Sequence, residues 1–296
     1  MHVFVTGATG WIGSAVVDDL LDAGHEVTGL ARSEVSAAAL ERKGARFRRG
    51  DLDDLDGLRA GAEEAEAVIH LANKHDWGSP AESNRAERSA VQAFADALTG
   101  TGRAFVLAAG LSTLAKGRPA TESDLSPAIG PGSHRGGSEN LALEYAEKGM
   151  RVISVRFAPS VHGVGDHGFV SAIVAAARKH GVSGYLGDGT ASWAAVHHTD
   201  AARLVRLGLE GAPTGSLLHA VAEEAVTTRE IAKAVGRMLD VPVVSVAPEK
   251  AGEHFGFVGR FFALDMSASS DRTRELLKWT PYGPSLAEDI EAGAYA

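Results

Sequence analysis

Short apolar runs alternate with amphipathic stretches along most of the chain. Val3–Thr6, His25–Ala31, Ala45–Arg48, Ala67–Leu71 and Ala104–Ala109 have the length and composition of buried strands. Between them, Ile12–Leu21, Leu55–Ala60 and a stretch closing at Leu98 place apolar residues at helical spacing. Strands alternating with helices at this rhythm predict an α/β fold, a doubly wound parallel sheet of Rossmann type. A sixth strand carries Arg156, and Leu217–Val221 reads as the last strand of the sheet. Helices are predicted over Gly168–His180, Asp200–Gly211 and, with an N-cap at Thr228, up to Leu239. Val241–Val246 reads as a strand and Tyr185–Gly189 as a turn. This pattern assigns 1–162 plus 197–222 to a dinucleotide-binding domain. A smaller interleaved α/β substrate domain takes 163–196 plus 223–296.

Composition narrows the setting. The 296 residues are 45% hydrophobic and 23% charged, as in an ordinary globular protein. A formal net charge of -9 argues against nucleic acid as a partner, the one dense basic cluster being Arg46, Arg48 and Arg49. With no cysteine there is no disulfide, thiolate metal site or cysteine nucleophile, and no His/Asp spacing suggests a metal. The first apolar run is broken at Gly7, too early for a signal peptide or membrane span. A soluble, cytoplasmic protein without a membrane partner is the expectation.

The candidate chemistry begins at Gly7-Ala-Thr-Gly10-Trp-Ile-Gly13, between the first strand and first helix. The first glycine permits the tight turn, the second lets backbone approach a pyrophosphate, and the third lets helix and strand pack closely. The helix N-terminus then offers N–H groups and a positive dipole end to phosphate. Thr6, Gly7, Thr9, Gly10, Trp11, Ile12 and Gly13 are thus the first cofactor-binding candidates. The second strand ends at Ala31 rather than at an acidic residue, and Arg32 and Ser33 follow. A guanidinium beside a hydroxyl suits a 2′-phosphate, so NADP(H) is expected over NAD(H), unless Arg32 is only a solvated loop charge. Asp51 and Leu52 follow the third strand. Asp51 can accept from the adenine amino group, cap the next helix, or both. Leu71, Ala72 and Asn73 stand where backbone must pass the cofactor, and Ala108 lies at the end of the fifth strand.

TGATGWIG, GDLDDL, VIHLAN and RFAPSVHG together resemble the extended short-chain dehydrogenase/reductase superfamily, of the NAD-dependent epimerase/dehydratase kind. The stretches Ala195–Ala202 and Thr273–Pro281 look like that superfamily's "VHVxD" and "LGWxP" segments, so the resemblance runs nearly end to end. It implies an NAD(P)-dependent enzyme working through a serine and a Tyr-x-x-x-Lys pair, with Pro159 and His162 near the cofactor. His197 and Asp200 match positions that stabilise the fold. In family members Glu, Gly and Arg follow the lysine in a fixed frame, which Glu139, Gly149 and Arg156 fit without a gap.

That frame puts Arg135 at the lysine position and Pro131 at the tyrosine position, within PGSHRGGSEN. Proline cannot give the proton that reduction of a carbonyl to an alkoxide needs. Tyr145, ten residues past Arg135 on the same predicted helix, would lie about 15 Å along its axis. Arg135 can still hydrogen-bond a nicotinamide ribose, although its pKa is too high for an acid. Where a serine belongs, the fifth strand ends Leu107-Ala108-Ala109-Gly110, and Ser112 and Thr113 come two residues late. They either face the site or begin a turn.

Several residues offer to replace the tyrosine. His134 can donate a proton near neutrality, or is an exposed residue at a helix start. Asp166 and His167 form an acid–base pair or are polar loop residues. Trp193 lines a pocket or packs the small domain, and the same holds for the phenylalanines of His254–Leu264. A protonated imine or an activated C=C acceptor would make the tyrosine unnecessary, since neither leaves an alkoxide. The expectation is an NADP(H)-dependent reductase of a small organic molecule bound at the cleft between the domains. A non-catalytic NADP(H)-binding regulator and a non-redox epimerase or lyase are the alternatives. The resemblance also suggests a homodimer through helices near 86–98 and 136–148.

Overall fold

The computed structural model describes residues 1–296 apart from His75, Trp77, Thr113 and Lys116. The expectation for Thr113 therefore lies outside the described residues. The first half alternates as predicted: β1 (His2–Thr6), α1 (Trp11–Asp22), β2 (Glu26–Ala31), α2 (Glu34–Arg42), β3 (Arg46–Arg49), α3 (Leu55–Glu64), β4 (Ala67–His70), α4 (Pro80–Leu98) and β5 (Ala104–Gly110). There follow α5 (Ser138–Leu143), β6 (Arg151–Phe157), β7 (Ser160–His162), α6 (Phe169–His180), β8 (Ser183–Leu186), β9 (Ser192–His197), α7 (His198–Gly211), β10 (Ser216–Ala220), β11 (Glu223–Thr227), α8 (Thr228–Leu239) and β12 (Val243–Val246).

Seven strands form one parallel sheet in the order β10-β6-β5-β4-β1-β2-β3. The chain winds one way from β1 to β3 and the other way from β4 onward. The winding reverses between β1 and β4, where Thr6 stands beside His70 at the strands' C-terminal ends. Such a reversal opens the crevice in which doubly wound sheets bind ligands. The sheet forms because β1 and β4 are apolar on both faces and helices cover them. Val16, Val17 and Leu20 of α1 are buried, as are Ala90, Val91, Phe94 and Leu98 of α4. Phe94 meets Phe4 at 6.3 Å and Phe105 at 5.6 Å between ring centroids. Burial of each ring contributes about 2–3 kcal/mol. At the edge, the arginines of β3 each pair with a glutamate: Arg46 with Glu26, Arg48 with Glu64 and Arg49 with Glu34. Charges of this kind blunt an exposed sheet edge.

The chain folds as two compact units, one of Met1–Ala109, Leu125–Val155 and Ala202–Leu218, the other of Gly110–Asp124, Arg156–Ala201 and His219–Ala296. The second unit thus takes in 110–124, 156–162, 197–201 and 219–222, which the sequence pattern groups with the first domain. Tertiary hydrogen bonds account for this: the Glu122 carboxylate accepts from Thr273 N–H at 2.8 Å and Thr273 Oγ1–H at 2.7 Å, and Arg156 donates to the Asp124 carbonyl at 2.7 Å. The second unit holds the sheets β11-β9-β7 and β12-β8 around a core of Trp193, Ile231, Val235 and Phe262.

Four local expectations need correction. Tyr185 belongs to strand β8, and the turn begins only at Gly187. Thr227, not Thr228, caps α8, in a reciprocal capping box with Glu230. Asp54, not Asp51, caps α3. The helix expected over 136–148 is broken: α5 spans only Ser138–Leu143, preceded and followed by single 3₁₀ turns. Arg135 and Tyr145 therefore do not share a helix.

Candidate active site

The glycine loop leaves β1 and enters α1 with Gly7 at φ 70°. A Cβ at Gly7 would sit 2.7 Å from the Ala72 nitrogen, and one at Gly13 only 2.0 Å from the Gly7 carbonyl oxygen. The chain's own packing therefore demands both glycines. Gly10 differs: its φ is -76°, and an added Cβ would meet only the Gly7 oxygen, at 3.2 Å. No side chain caps α1 and its first turn has no acidic residue. The combination leaves backbone N–H groups and the positive helix end facing the approach over Gly10, a phosphate cradle. Thr9 is exposed, and Trp11 and Ile12 are half-buried.

Arg32 and Ser33 are exposed immediately after β2. The Ser33 hydroxyl caps α2 by accepting from Ser36 N–H at 3.2 Å, and it lies 3.1 Å from Ser36 Oγ. Arg32 makes no hydrogen bond or ion pair among the described residues. One guanidinium and two hydroxyls thus gather at one helix start.

After β3, Asp51 Oδ1 accepts from Asp53 and Asp54 N–H at 2.8 and 3.2 Å and fixes the turn, while Leu52 is buried. Thr6, expected to touch a cofactor, is fully buried with its hydroxyl turned inward. Its Oγ1 accepts from Ala72 N–H at 3.3 Å and pairs with His70 Nδ1 at 2.7 Å. Burial first, and then the Arg135 charge, push the His70 imidazole down to about 3. Leu71, Ala72, Asn73 and Ala108 are half-buried where β4 and β5 end.

The Pro131–Asn140 segment turns through Arg135, Gly136 and Gly137, all left-handed at φ 51°, 62° and 63°. Glycine is required at two of them: a Cβ would fall 2.4 Å from the Asn84 carbonyl oxygen at Gly136 and 2.8 Å from the Gly130 nitrogen at Gly137. A left-handed arginine costs about 1–2 kcal/mol, so other contacts must hold it. Helix α4 provides them. Asn84 Nδ2 donates to the Ser133 carbonyl at 3.0 Å, and Arg88 Nη1 to the Gly136 carbonyl at 2.8 Å. Glu87, buried, accepts from Arg135 Nε at 2.8 and 3.0 Å and ion-pairs with its Nη2 at 2.6 Å. Glu87 Oε2 also accepts from Asn73 Nδ2. Neighbouring His134 is exposed, and desolvation with the Arg135 charge lowers its pKa.

The other expected catalytic groups lie in the second unit and are engaged differently. Asp166 is buried and accepts from Tyr295 Oη at 2.7 Å and Gly168 N–H at 2.7 Å. Burial raises the Asp166 pKa. His167 is exposed. His162 is fully buried, with Nδ1 2.5 Å from Asp289 Oδ2. Burial lowers the His162 pKa over the opposing pull of Asp289, so a neutral ring donates Nδ1–H to that carboxylate. Ser112 is half-buried in a turn, and Pro159 is half-buried between β6 and β7. Trp193 packs in the core against Phe262 at 5.3 Å. Asp200 is structural: its Oδ2 accepts from Tyr282 and Gly283 N–H at 3.0 and 2.7 Å. Of the tyrosines, Tyr145 Oη accepts from Gln92, Tyr185 lies under the Arg229 guanidinium, Tyr282 is exposed and Tyr295 is held by Asp166. No group of three or more metal-ligating side chains occurs among the described residues, nor does a helix long and apolar enough to cross a membrane.

The model of the "NAD dependent epimerase/dehydratase family" matches residues 3–216, from β1 into β10. The chain belongs to this family. The epimerase/dehydratase-family protein is 42% identical over 296 residues to the uncharacterized protein C2A9.02 of Schizosaccharomyces pombe, covering 100% of both chains. It is also 42% identical to the uncharacterized protein YLL056C of Saccharomyces cerevisiae, covering 99% of this chain and 98% of that one. Among solved structures it resembles a UDP-glucose 4-epimerase complex with NAD from Thermus thermophilus, at TM-score 0.76 and 23% identity, covering 99% and 98% of the two chains. That likeness establishes the fold. In this family member, sequence reasoning missed Asn84, Glu87 and Arg88. Their signal was present: polar residues at i, i+3 and i+4 on the same side of a helix as Val91 and Ala95.

Proposed function

We propose that this epimerase/dehydratase-family protein binds NADP(H) and reduces a small organic substrate without a tyrosine acid. The observation that carries the proposal is the approach over Gly10. A Cβ there would meet only the Gly7 oxygen, at 3.2 Å, a far milder contact than those at Gly7 and Gly13, yet the position is glycine beside an uncapped helix end. Gly7, Gly10, Gly13 and the first turn of α1 would hold the pyrophosphate, and Arg32, Ser33 and Ser36 the 2′-phosphate. Asn73 and Arg135 would meet the nicotinamide ribose. The bound dinucleotide supplies a hydride; the chain's residues bind it, orient it and exclude water.

The histidines support the choice of acceptor. His134 and His162 are both shifted toward the neutral form, which weakens either as a proton donor. A protonated imine, which hydride converts to a neutral amine, asks for no such donor. An activated C=C bond asks chiefly for hydrogen bonds to the enolate oxygen.

Two measurements test this. Arg32→Ala should weaken NADPH binding by about 10- to 100-fold, the loss of a charge-assisted contact, and leave NADH unchanged; equal losses for both would remove the 2′-phosphate assignment. NADPH oxidation should be fastest with imines or enones and slow with simple ketones. Tight NADPH binding without turnover of any acceptor class would instead support the regulator.

A further inference from the structure

We infer that Glu87 is a positioning residue for the cofactor, setting Asn73 and Arg135 together through one buried carboxylate. The inference rests on the NADP(H) reading. Glu87 stands on α4, outside every glycine-rich or strand-end motif, and is only 2% exposed. Its two oxygens take Arg135 Nε–H at 2.8 and 3.0 Å, and Oε1 lies 2.6 Å from Nη2. Oε2 also takes the Asn73 amide. Asn73 leaves the end of β4, beside the reversal of winding, and Arg135 lies in the left-handed turn before α5. These segments are 62 residues apart in sequence, by subtraction of their numbers. One carboxylate on a third element fixes both.

The geometry of the fork shows what this accomplishes. Glu87 occupies the Nε and Nη2 edge of Arg135, and no hydrogen bond from Nη1 occurs among the described residues. Arg135 keeps 22% of its side chain exposed. The pair therefore holds the guanidinium plane at a set angle with donor capacity to spare for a ligand oxygen. In Asn73, the anchored Nδ2 fixes the plane of the amide and hence the direction of Oδ1. Glu87 also supplies the negative charge that offsets the guanidinium's, so that Arg135 stands half-buried as one partner of an ion pair. With Glu87→Gln the ion pair that holds the Arg135 guanidinium is gone, while an oxygen for the Asn73 amide remains.

The test compares NADPH with 2′,5′-ADP, which carries the adenine half and lacks the nicotinamide ribose. In the full chain, Glu87→Gln should raise the NADPH Kd about 10-fold or more, the effect of one lost charged hydrogen bond. It should leave the 2′,5′-ADP Kd unchanged. Arg135→Gln should match that loss, and the double variant should lose no more than either alone, because both act on one contact. Equal weakening of NADPH and 2′,5′-ADP would mean a general structural role and overturn the inference, as would unchanged NADPH binding in a folded Glu87→Gln protein. Should Glu87→Gln not fold, Asn73→Ala gives the same contrast from a half-buried loop. If the unaltered protein binds 2′,5′-ADP but not NADPH, the positioning inference fails. If it binds neither, the cofactor reading itself fails.

Discussion

Gly13→Ala should severely destabilise the fold, whereas Gly10→Ala should fold and bind NADPH far more weakly. The methyl group at Gly13 would lie 2.0 Å from the Gly7 carbonyl oxygen and 2.7 Å from its carbon, and both are backbone atoms that no rotamer change can move. Separating α1 from the loop at the end of β1 would cost about 4 kcal/mol or more, as in severe overpacking. Thermal unfolding should show a Tm lower by about 10 °C, or no transition at all. At Gly10 the methyl would meet only the Gly7 oxygen at 3.2 Å, in a conformation any residue adopts. There the methyl intrudes on the ligand instead, and NADPH affinity should fall about 100-fold, ~3 kcal/mol. A Gly13→Ala protein of unchanged Tm would refute the packing argument. A Gly10→Ala protein with undiminished NADPH affinity would refute the cradle.

Stability should decline in mild acid because of His70. The imidazole is buried between Phe94 and Phe105, with centroids 5.3 and 6.3 Å away, and its Nε2 makes no hydrogen bond among the described residues. Folded, it titrates at about 3; unfolded, near the ordinary value of 6.5. Between those values the unfolded chain binds a proton that the folded chain refuses, so stability falls as pH drops below about 6.5 and the loss levels off near 3. At pH 5 the loss amounts to about 2 kcal/mol. His70→Asn keeps a partner for Thr6 Oγ1 and cannot titrate, so urea unfolding of this variant should lack that component of the slope. An identical pH slope in the two proteins would place the acid sensitivity elsewhere, with buried His162 the next group to test.

Much of the sheet was legible because its signal is local. Apolar runs such as Val3–Thr6 and Ala67–His70 are strands wherever they pair, and Gly7, Gly10 and Gly13 mark a strand-to-helix turn by spacing alone. The Pro131–Asn140 segment was less legible. A sequence frame anchored on Glu139, Gly149 and Arg156 carries Arg135 into a helix, whereas two glycines in left-handed conformation end that helix at Ser138. Asp166 could not be assigned from sequence either, since its partner Tyr295 lies 129 residues away.

The amino-acid sequence by itself determined the order of strands and helices, the glycine turn at the end of β1 and the family to which they point. All of these depend on residues that are neighbours along the chain. Only the tertiary structure decided which polar groups are engaged. It turned the Thr6 hydroxyl inward to His70, gave Asp166 to Tyr295, and brought Glu87 between Asn73 and Arg135. The reason is physical: a buried donor or acceptor must find a partner wherever the fold brings one, and that partner is seldom close in sequence.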